Sequence, residues 1–248
     1  MSLWPAALGL SMAGSLGGLL TASLLLLFNR EARDRVVPWL VSYAVGTLLG
    51  VALLDLVPQA LATIAPTPAL TTLLLGIFTF FILEKLVIWR HCHDDQSCAI
   101  HPSTVPLVVI GDAIHTFVDG VVIAAASLVS LPLGVTTALA VAAHEIPQEA
   151  GDFAILLAAG NSRSRALLLN LSSATGGLVG AAAMLAFGSR APQVLPFVLA
   201  FAAGSFLYVA MADLIPNLHR GSLDRNAVRQ TVLIAMGVGT IVLMSQLR

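Results

Sequence analysis

The sequence predicts an all-α integral membrane protein with eight transmembrane helices. Of its 248 residues, 58% are hydrophobic and only 10% are charged, whereas a soluble domain has about 25% charged residues. The mean hydropathy is +0.93, and a soluble fold of this size could not hide so much apolar surface from water. We therefore expect a single transmembrane domain over residues 1–248, surrounded by the lipid bilayer.

Eight apolar segments of about 20 residues or more are separated by polar or Gly/Pro-bearing breaks. The predicted spans are Leu3–Phe28, Val36–Ile64, Ala69–Trp89, Thr104–Ser127, Leu133–Ala159, Ala166–Phe187, Val194–Leu218 and Ala227–Leu247. Because the link between the fourth and fifth spans is very short, these two spans are expected to form an antiparallel hairpin at the centre of the fold.

The basic residues predict how the spans are oriented. Most Lys and Arg residues lie in alternate breaks, and only Arg190 and Arg248 fall on the opposite side. The positive-inside rule then places both termini outside the cytoplasm. The charge distribution also excludes nucleic acid as a partner, because the chain has no basic face that could meet phosphates.

A repeated segment indicates internal symmetry. Gly46–Pro58 reads G-T-L-L-G-V-A-L-L-D-L-V-P, and Gly204–Pro216 reads G-S-F-L-Y-V-A-M-A-D-L-I-P. With the predicted orientation, the two segments run in opposite directions, so spans 1–3 and 6–8 form an inverted repeat of the kind found in transporters. Asp55 and Asp213 would then be gate or vestibule residues, or each would hydrogen-bond a backbone opened by its Pro.

Two polar stretches interrupt the fourth and fifth spans. They are Gly111–Gly120, with the sequence G-D-A-I-H-T-F-V-D-G, and Ala143–Phe153, with the sequence A-H-E-I-P-Q-E-A-G-D-F. A charged side chain at the bilayer centre costs at least ~2.5–3.5 kcal/mol, so such residues usually have a function. Their His, Asp and Glu residues are suited to holding a divalent cation.

Helical spacing brings these side chains onto shared faces. His115 and Asp119 are four residues apart and share a face, with Asp112 one turn earlier. On the fifth span, His144 and Gln148 share one face. The neighbouring face carries three carboxylates: Glu145, Glu149 and Asp152. Two imidazoles, a carboxylate and an amide form a mixed nitrogen and oxygen set that suits zinc, and also iron(II) or manganese.

Asp112 and Asp152 have two interpretations. Either residue would accept a hydrogen bond from a ligand imidazole and so orient it, or it would be a satisfied polar group without a role in metal binding. The sixth span offers Asn170 but no carboxylate, which favours one strong metal site.

The motifs H-x-F-x-D-G on span four and H-E-I-P-x-E-x-G-D-F-A-I-L on span five resemble the ZIP (Zrt/Irt-like) family of divalent-metal transporters. The resemblance is closest to the branch with H-E-x-P-H-E-x-G-D on the fifth helix, and it extends over nearly the whole chain. It implies uptake of metal into the cytoplasm. The short loops and the lack of an extracellular domain suggest a minimal, bacterial-type version in the plasma (bacterial inner) membrane. The primary metal site that the resemblance implies consists of His115, Asp119, His144 and Gln148. It further implies that Glu145 borders a second site, with Glu149 nearby.

The chain departs from the family pattern at two ligand positions. Thr116 replaces the usual Asn, and a hydroxyl coordinates more weakly, so a full two-metal centre is in question. Gln148 replaces the second His of the fifth helix. Because an amide oxygen is a harder and weaker ligand than an imidazole, zinc affinity would fall and selectivity would broaden towards manganese, iron or cadmium.

A loop between spans three and four, residues 90–102, is rich in metal-binding side chains. It carries His91, Cys92, His93, Asp94, Asp95, Cys98 and His101. The family resemblance suggests that this cytoplasmic loop captures or senses delivered metal. The alternative is a polar, solvated loop.

Other functions were weighed against zinc uptake. His144, Glu145 and Gln148 resemble the H-E-x-x-H helix of zinc proteases, but a Gln replaces the last His and Pro147 lies within the motif. A channel with the same site would differ from a carrier by its high flux and weak saturation. The sequence leaves open the physiological metal, any coupled ion and whether the chain forms a homodimer.

Overall fold

The computed structural model describes residues 3–25, 28, 30–89, 105–188, 190–218 and 225–246, and this part of the chain contains helices and no strand. The α-helices are α1 (Leu3–Leu25), α2 (Arg30–Gly50), α3 (Val57–Leu61), α4 (Pro66–Trp89), α5 (Val105–Val129), α6 (Leu131–Ala158), α7 (Arg163–Gly188), α8 (Leu195–Tyr208), α9 (Ile215–Leu218) and α10 (Arg225–Gln246). Each predicted span overlaps one continuous helical segment of the described residues.

Seven helical segments are long and apolar enough to cross a membrane. They are Leu3–Leu24, Arg35–Leu61, Pro66–Lys85, Val108–Val129, Arg163–Gly188, Pro192–Leu214 and Ala227–Gln246. The prediction of an all-α membrane protein is therefore confirmed. Helix α6 is not among the seven segments, although it has 28 residues. Its central part is polar, because it carries His144, Glu145 and Glu149. An eighth span stays a prediction.

Two helices contain a π-helical segment. Helix α2 continues through Val51–Leu56 into α3, and α8 continues through Val209–Leu214 into α9. A Pro follows each segment, and because Pro lacks an N–H group it leaves a carbonyl of the preceding turn without its usual partner. The wider turn provides other bonds: the N–H of Val57 donates to the carbonyl of Ala52. Asp55 and Asp213 lie inside these segments.

The polar helices α5 and α6 lie at the centre of the bundle. Only Ser130 separates them, and its side chain accepts a hydrogen bond of 3.3 Å from the N–H of Leu133, which caps the start of α6. The two helices pack against each other, α7 packs against α5, and α1 packs against α6. This arrangement places the polar stretches of α5 and α6 side by side.

Candidate metal centre

Helix α5 contributes an imidazole and a carboxylate from one face. His115 and Asp119 are separated by one turn, and His115 Nε2 lies 3.5 Å from Asp119 Oδ2. The Asp119 side chain is 2% exposed, and the His115 side chain is 14% exposed. His115 therefore lies at the border between the buried cluster and a solvent-accessible cavity.

Helix α6 completes the cluster with His144 and Glu145. His144 Nε2 lies 3.2 Å from His115 Nε2 and 3.3 Å from Asp119 Oδ2. Glu145 Oε1 lies 3.8 Å from the Nε2 atom of His115 and 3.9 Å from that of His144. Each of the four residues thus offers one potential ligand atom, and all four atoms lie within 4.8 Å of one another.

The hydrogen bonds around the cluster favour metal binding. His144 Nδ1 lies 3.1 Å from the carbonyl oxygen of Ala140. Because a carbonyl only accepts hydrogen bonds, Nδ1 carries the proton and Nε2 presents its lone pair to the cluster. Asp119 Oδ2 and both oxygens of Glu145 are buried and have no hydrogen-bond partner among the described residues. Buried carboxylates require compensation by a cation or by donors, so these atoms fit a metal ion.

A second group of carboxylates adjoins the first. Asp112, Glu145 and Glu149 each offer an oxygen within 4.8 Å of the others. Both oxygens of Glu149 are buried without a hydrogen-bond partner in the described part of the chain. Asp112 accepts hydrogen bonds from the hydroxyl of Ser173 and, at 3.4 Å, from Gln148 Nε2. Gln148 therefore uses its amide nitrogen towards Asp112.

Thr116 and Asn170 lie beside the centre. The hydroxyl of Thr116 donates to the carbonyl of Ser173 at 2.9 Å, so its proton is directed at α7. Asn170 is buried on the same helix α7, and its amide nitrogen lacks a hydrogen-bond partner among the described residues.

A cavity of about 410 Å³ extends from the centre along the C-terminal parts of α4 and α6. Its polar lining consists of Glu84, Asp112, His115, Gln148, Asp152, Tyr208 and Asp213. The Tyr208 hydroxyl donates a hydrogen bond to Glu84, which links α8 to α4 at the cavity wall. Asp55, the counterpart of Asp213 in the repeated segment, is instead buried at 3% exposure.

Three polar residues near the centre were not predicted as functional from the sequence. They are Ser173, which donates a hydrogen bond to Asp112, and Tyr208 and Glu84, which are hydrogen-bonded across the cavity wall. Glu84 is an acidic residue near the end of an otherwise apolar span, and that signal could have pointed to it. The metal-binding residues predicted in the loop over residues 90–102 lie outside the described part of the chain. They are His91, Cys92, His93, Asp94, Asp95, Cys98 and His101.

The chain is similar in sequence to one family model and to several known proteins. The family model described as "ZIP Zinc transporter" matches residues 89–245. Zinc transporter ZIP13 of Pongo abelii is 34% identical over an alignment 223 positions long, and the alignment covers 83% of this chain and 66% of that protein. Zinc transporter ZIP13 of Mus musculus is 32% identical over a gapped alignment 264 positions long, and the alignment covers 88% of this chain and 73% of that protein. Zinc transporter ZIP10 of Homo sapiens is 42% identical over 118 residues, 48% of this chain and 14% of that protein.

These matches agree with the motifs of the fourth and fifth spans, and the predicted family is confirmed. The family model and the names of the relatives indicate a transporter of divalent metal rather than an enzyme. The protease alternative is therefore set aside. The chain belongs to the ZIP family of zinc transporters.

Proposed function

We propose that this chain carries zinc into the cytoplasm through the metal centre between α5 and α6. The observation that supports this most is the convergence of His115 and His144, whose Nε2 atoms lie 3.2 Å apart, on the carboxylate of Asp119. Two neutral imidazoles and carboxylate oxygens form a ligand set that suits zinc. Among the described residues the centre is formed by imidazole and carboxylate groups, a set that suits a cargo that must be released.

The oxygen atoms in the centre also suit ions that are harder than zinc. We propose Gln148 as a further oxygen ligand and Glu145 as a ligand shared with a second, carboxylate-rich position beside Asp112 and Glu149. Oxygen ligands suit manganese and iron(II) better than a pure imidazole set does. Cadmium, iron(II) and manganese are therefore the alternative cargoes, and zinc is the main one.

Helix packing supports an inverted repeat. In the predicted repeat, α1 corresponds to α7, α2 to α8, α4 to α10, and α6 to α5. The contact between α2 and α10 is matched by the contact between α8 and α4. The contact between α1 and α6 is matched in the same way by the contact between α7 and α5. The matched glycines Gly46 and Gly204 each face the backbone of the partner helix. The two π-helical segments also fall at equivalent positions. Exchanging the two halves thus preserves the main contacts, as expected for a transporter with its site between inverted repeats.

The eighth span in this proposal is α6. Its polar residues His144, Glu145 and Glu149 are almost fully buried, so they would be hidden from lipid by the surrounding helices. If the chain has eight spans, and the breaks that carry most Lys and Arg residues face the cytoplasm, both termini lie outside the cytoplasm. The cavity that begins at His115 then opens to the cytoplasm, and Asp152 and Asp213 would attract the departing cation. The loop over residues 90–102 would receive the metal there.

Uptake into proteoliposomes tests the proposal. Zinc, cadmium, manganese and iron(II) would each be offered to the wild type, to His144→Ala and to Ser172→Ala. Ser172 is an exposed residue of α7 whose hydroxyl bonds within its own helix, so it is the matched control. We expect saturable zinc uptake in the wild type and the control, and none in His144→Ala. Equal uptake in all three proteins would contradict the site, and unsaturable flux would favour a channel.

A further inference from the structure

The side chain of Gln148 is held by a carboxylate from the neighbouring helix. Its Nε2 atom lies 3.4 Å from Asp112 Oδ1. The other oxygen of Asp112, Oδ2, accepts a hydrogen bond from the Ser173 hydroxyl on α7. Asp112 is only 5% exposed, and it therefore ties α5 to α6 and α7 beside the metal centre.

We propose that Asp112, fixed by Ser173, orients the Gln148 amide so that its oxygen, and not its nitrogen, is presented to the metal. This inference rests on the proposed function. An ionised carboxylate only accepts hydrogen bonds, so the amide NH₂ group must face it. The Oε1 atom is then directed away from Asp112. Without this constraint the amide could flip and turn a donor NH₂ group, which cannot bind a cation, towards the centre.

The position of Asp112 argues for such a role over simple helix packing. Its carboxylate lies within 4.8 Å of the carboxylate oxygens of Glu145 and Glu149, so the residue that fixes the Gln148 amide lies at the edge of the metal centre itself. An Asn at this position could bond Ser173 equally well. However, an Asn side chain both donates and accepts, so it would not select one orientation of Gln148.

The orienting role has a measurable consequence for metal affinity. Replacing a residue that positions a metal ligand typically weakens affinity or activity by about 10–100-fold. We expect Asp112→Asn to raise the zinc Kd by about tenfold, which is the loss expected if Gln148 no longer coordinates reliably. His115, Asp119, His144 and Glu145 remain in that variant and still bind zinc.

A double-mutant cycle separates a positioning role from direct coordination. Zinc Kd would be measured by competition with a chelating dye on the purified full-length protein for the wild type, Asp112→Asn, Gln148→Ala and the double variant. If Asp112 acts through Gln148, the double variant binds zinc as Gln148→Ala does. If the two effects multiply, Asp112 acts independently of Gln148, and the inference is wrong.

Cobalt absorption provides a readout that a purely structural role would not change. The visible bands of Co²⁺-loaded Asp112→Asn should match those of Gln148→Ala and differ from the wild type. Wild-type bands in Asp112→Asn, with altered bands in Gln148→Ala, would overturn the inference. Ser173→Ala should shift the zinc Kd in the same direction, whereas Ser172→Ala should leave it unchanged. If Asp112→Asn is not monodisperse on size exclusion, Ser173→Ala replaces it in the cycle.

Failure of this inference can be distinguished from failure of the proposed function. Wild-type protein that neither binds nor transports zinc contradicts the proposed function itself. Wild-type protein that transports zinc normally, together with independent effects of Asp112→Asn and Gln148→Ala, contradicts only the orienting role of Asp112.

Discussion

The Nε2 atoms of His115 and His144 lie 3.2 Å apart, although 29 residues separate the two side chains in the sequence. The Nδ1–H of His144 is directed at the carbonyl of Ala140, so its Nε2 lone pair faces the other ring. Two imidazole nitrogens at this distance are compatible when one ring donates an N–H···N hydrogen bond to the other or when both lone pairs face a cation. With the carboxylate of Asp119 beside both rings, the pair has the composition of the metal centre proposed above.

We expect His115→Ala to abolish saturable zinc uptake, because it removes one of the two nitrogen ligands of the centre. The same change should lower the number of zinc ions bound by the purified protein, as measured by elemental analysis after desalting. Thr79→Ala is the control, because Thr79 is exposed on α4 and its hydroxyl bonds within the same helix. Normal zinc content in His115→Ala would contradict this assignment.

Glu145→Gln should stabilise the metal-free protein and reduce its stabilisation by zinc. Both carboxylate oxygens of Glu145 are buried without a hydrogen-bond partner among the described residues, and a buried unpaired charge is strongly destabilising. For the wild type, zinc at about 100 times its Kd should add about 2.7 kcal/mol of stability. Thermal unfolding in detergent, with and without zinc, measures both effects. A zinc-dependent rise in melting temperature as large in Glu145→Gln as in the wild type would show that Glu145 is not a ligand.

The sequence predicted the helices well because their boundaries depend on local features: long apolar runs, prolines and polar breaks. The pairing of His115 with Asp119 was also predictable, since a spacing of four residues places them on one face. The role of Glu145 was harder to predict. The family resemblance implied that it borders a second site, whereas its carboxylate also lies 3.8 Å from His115 Nε2 in the first cluster.

Contacts between distant helices could not be predicted from local patterns. The hydrogen bonds from Ser173 to Asp112 and from Tyr208 to Glu84 join residues 61 and 124 positions apart. They depend on how α7 and α8 are rotated against their neighbours. The repeat suggested that Asp55 and Asp213 are equivalent, yet one is buried and the other lines the cavity. A sequence repeat does not determine which half is open.

The two helix crossings at Gly46 and Gly204 are equivalent in the proposed repeat. An added methyl group should therefore lower the stability of the protein by a similar amount at either position. A Cβ atom on Gly46 would lie 2.9 Å from the carbonyl carbon of Ile234, and one on Gly204 would lie 2.9 Å from that of Leu73. Overpacking of this kind typically costs about 1–3 kcal/mol. We expect Gly46→Ala and Gly204→Ala to lower the melting temperature by similar amounts, whereas Gly239→Ala, where no atom lies within 4 Å of the added group, should not. A loss of stability in only one of the two repeats would contradict equivalent crossings.

Cysteine labelling at two equivalent positions tests the inverted repeat together with the transport mechanism. Val51 and Val209 begin the two π-helical segments. Both are buried, but Val51 is 0% exposed, whereas Val209 is 6% exposed and borders the cavity. In a Cys92→Ser/Cys98→Ser background, Val209→Cys should react with an impermeant thiol reagent added from the cytoplasmic side. Val51→Cys should react only from the outside, in the opposite conformation of the transporter.

Inside-out and right-side-out vesicles distinguish the two sides. Labelling of both cysteines from one side would contradict the inverted repeat, and labelling of each from both sides would indicate a channel instead of alternating access.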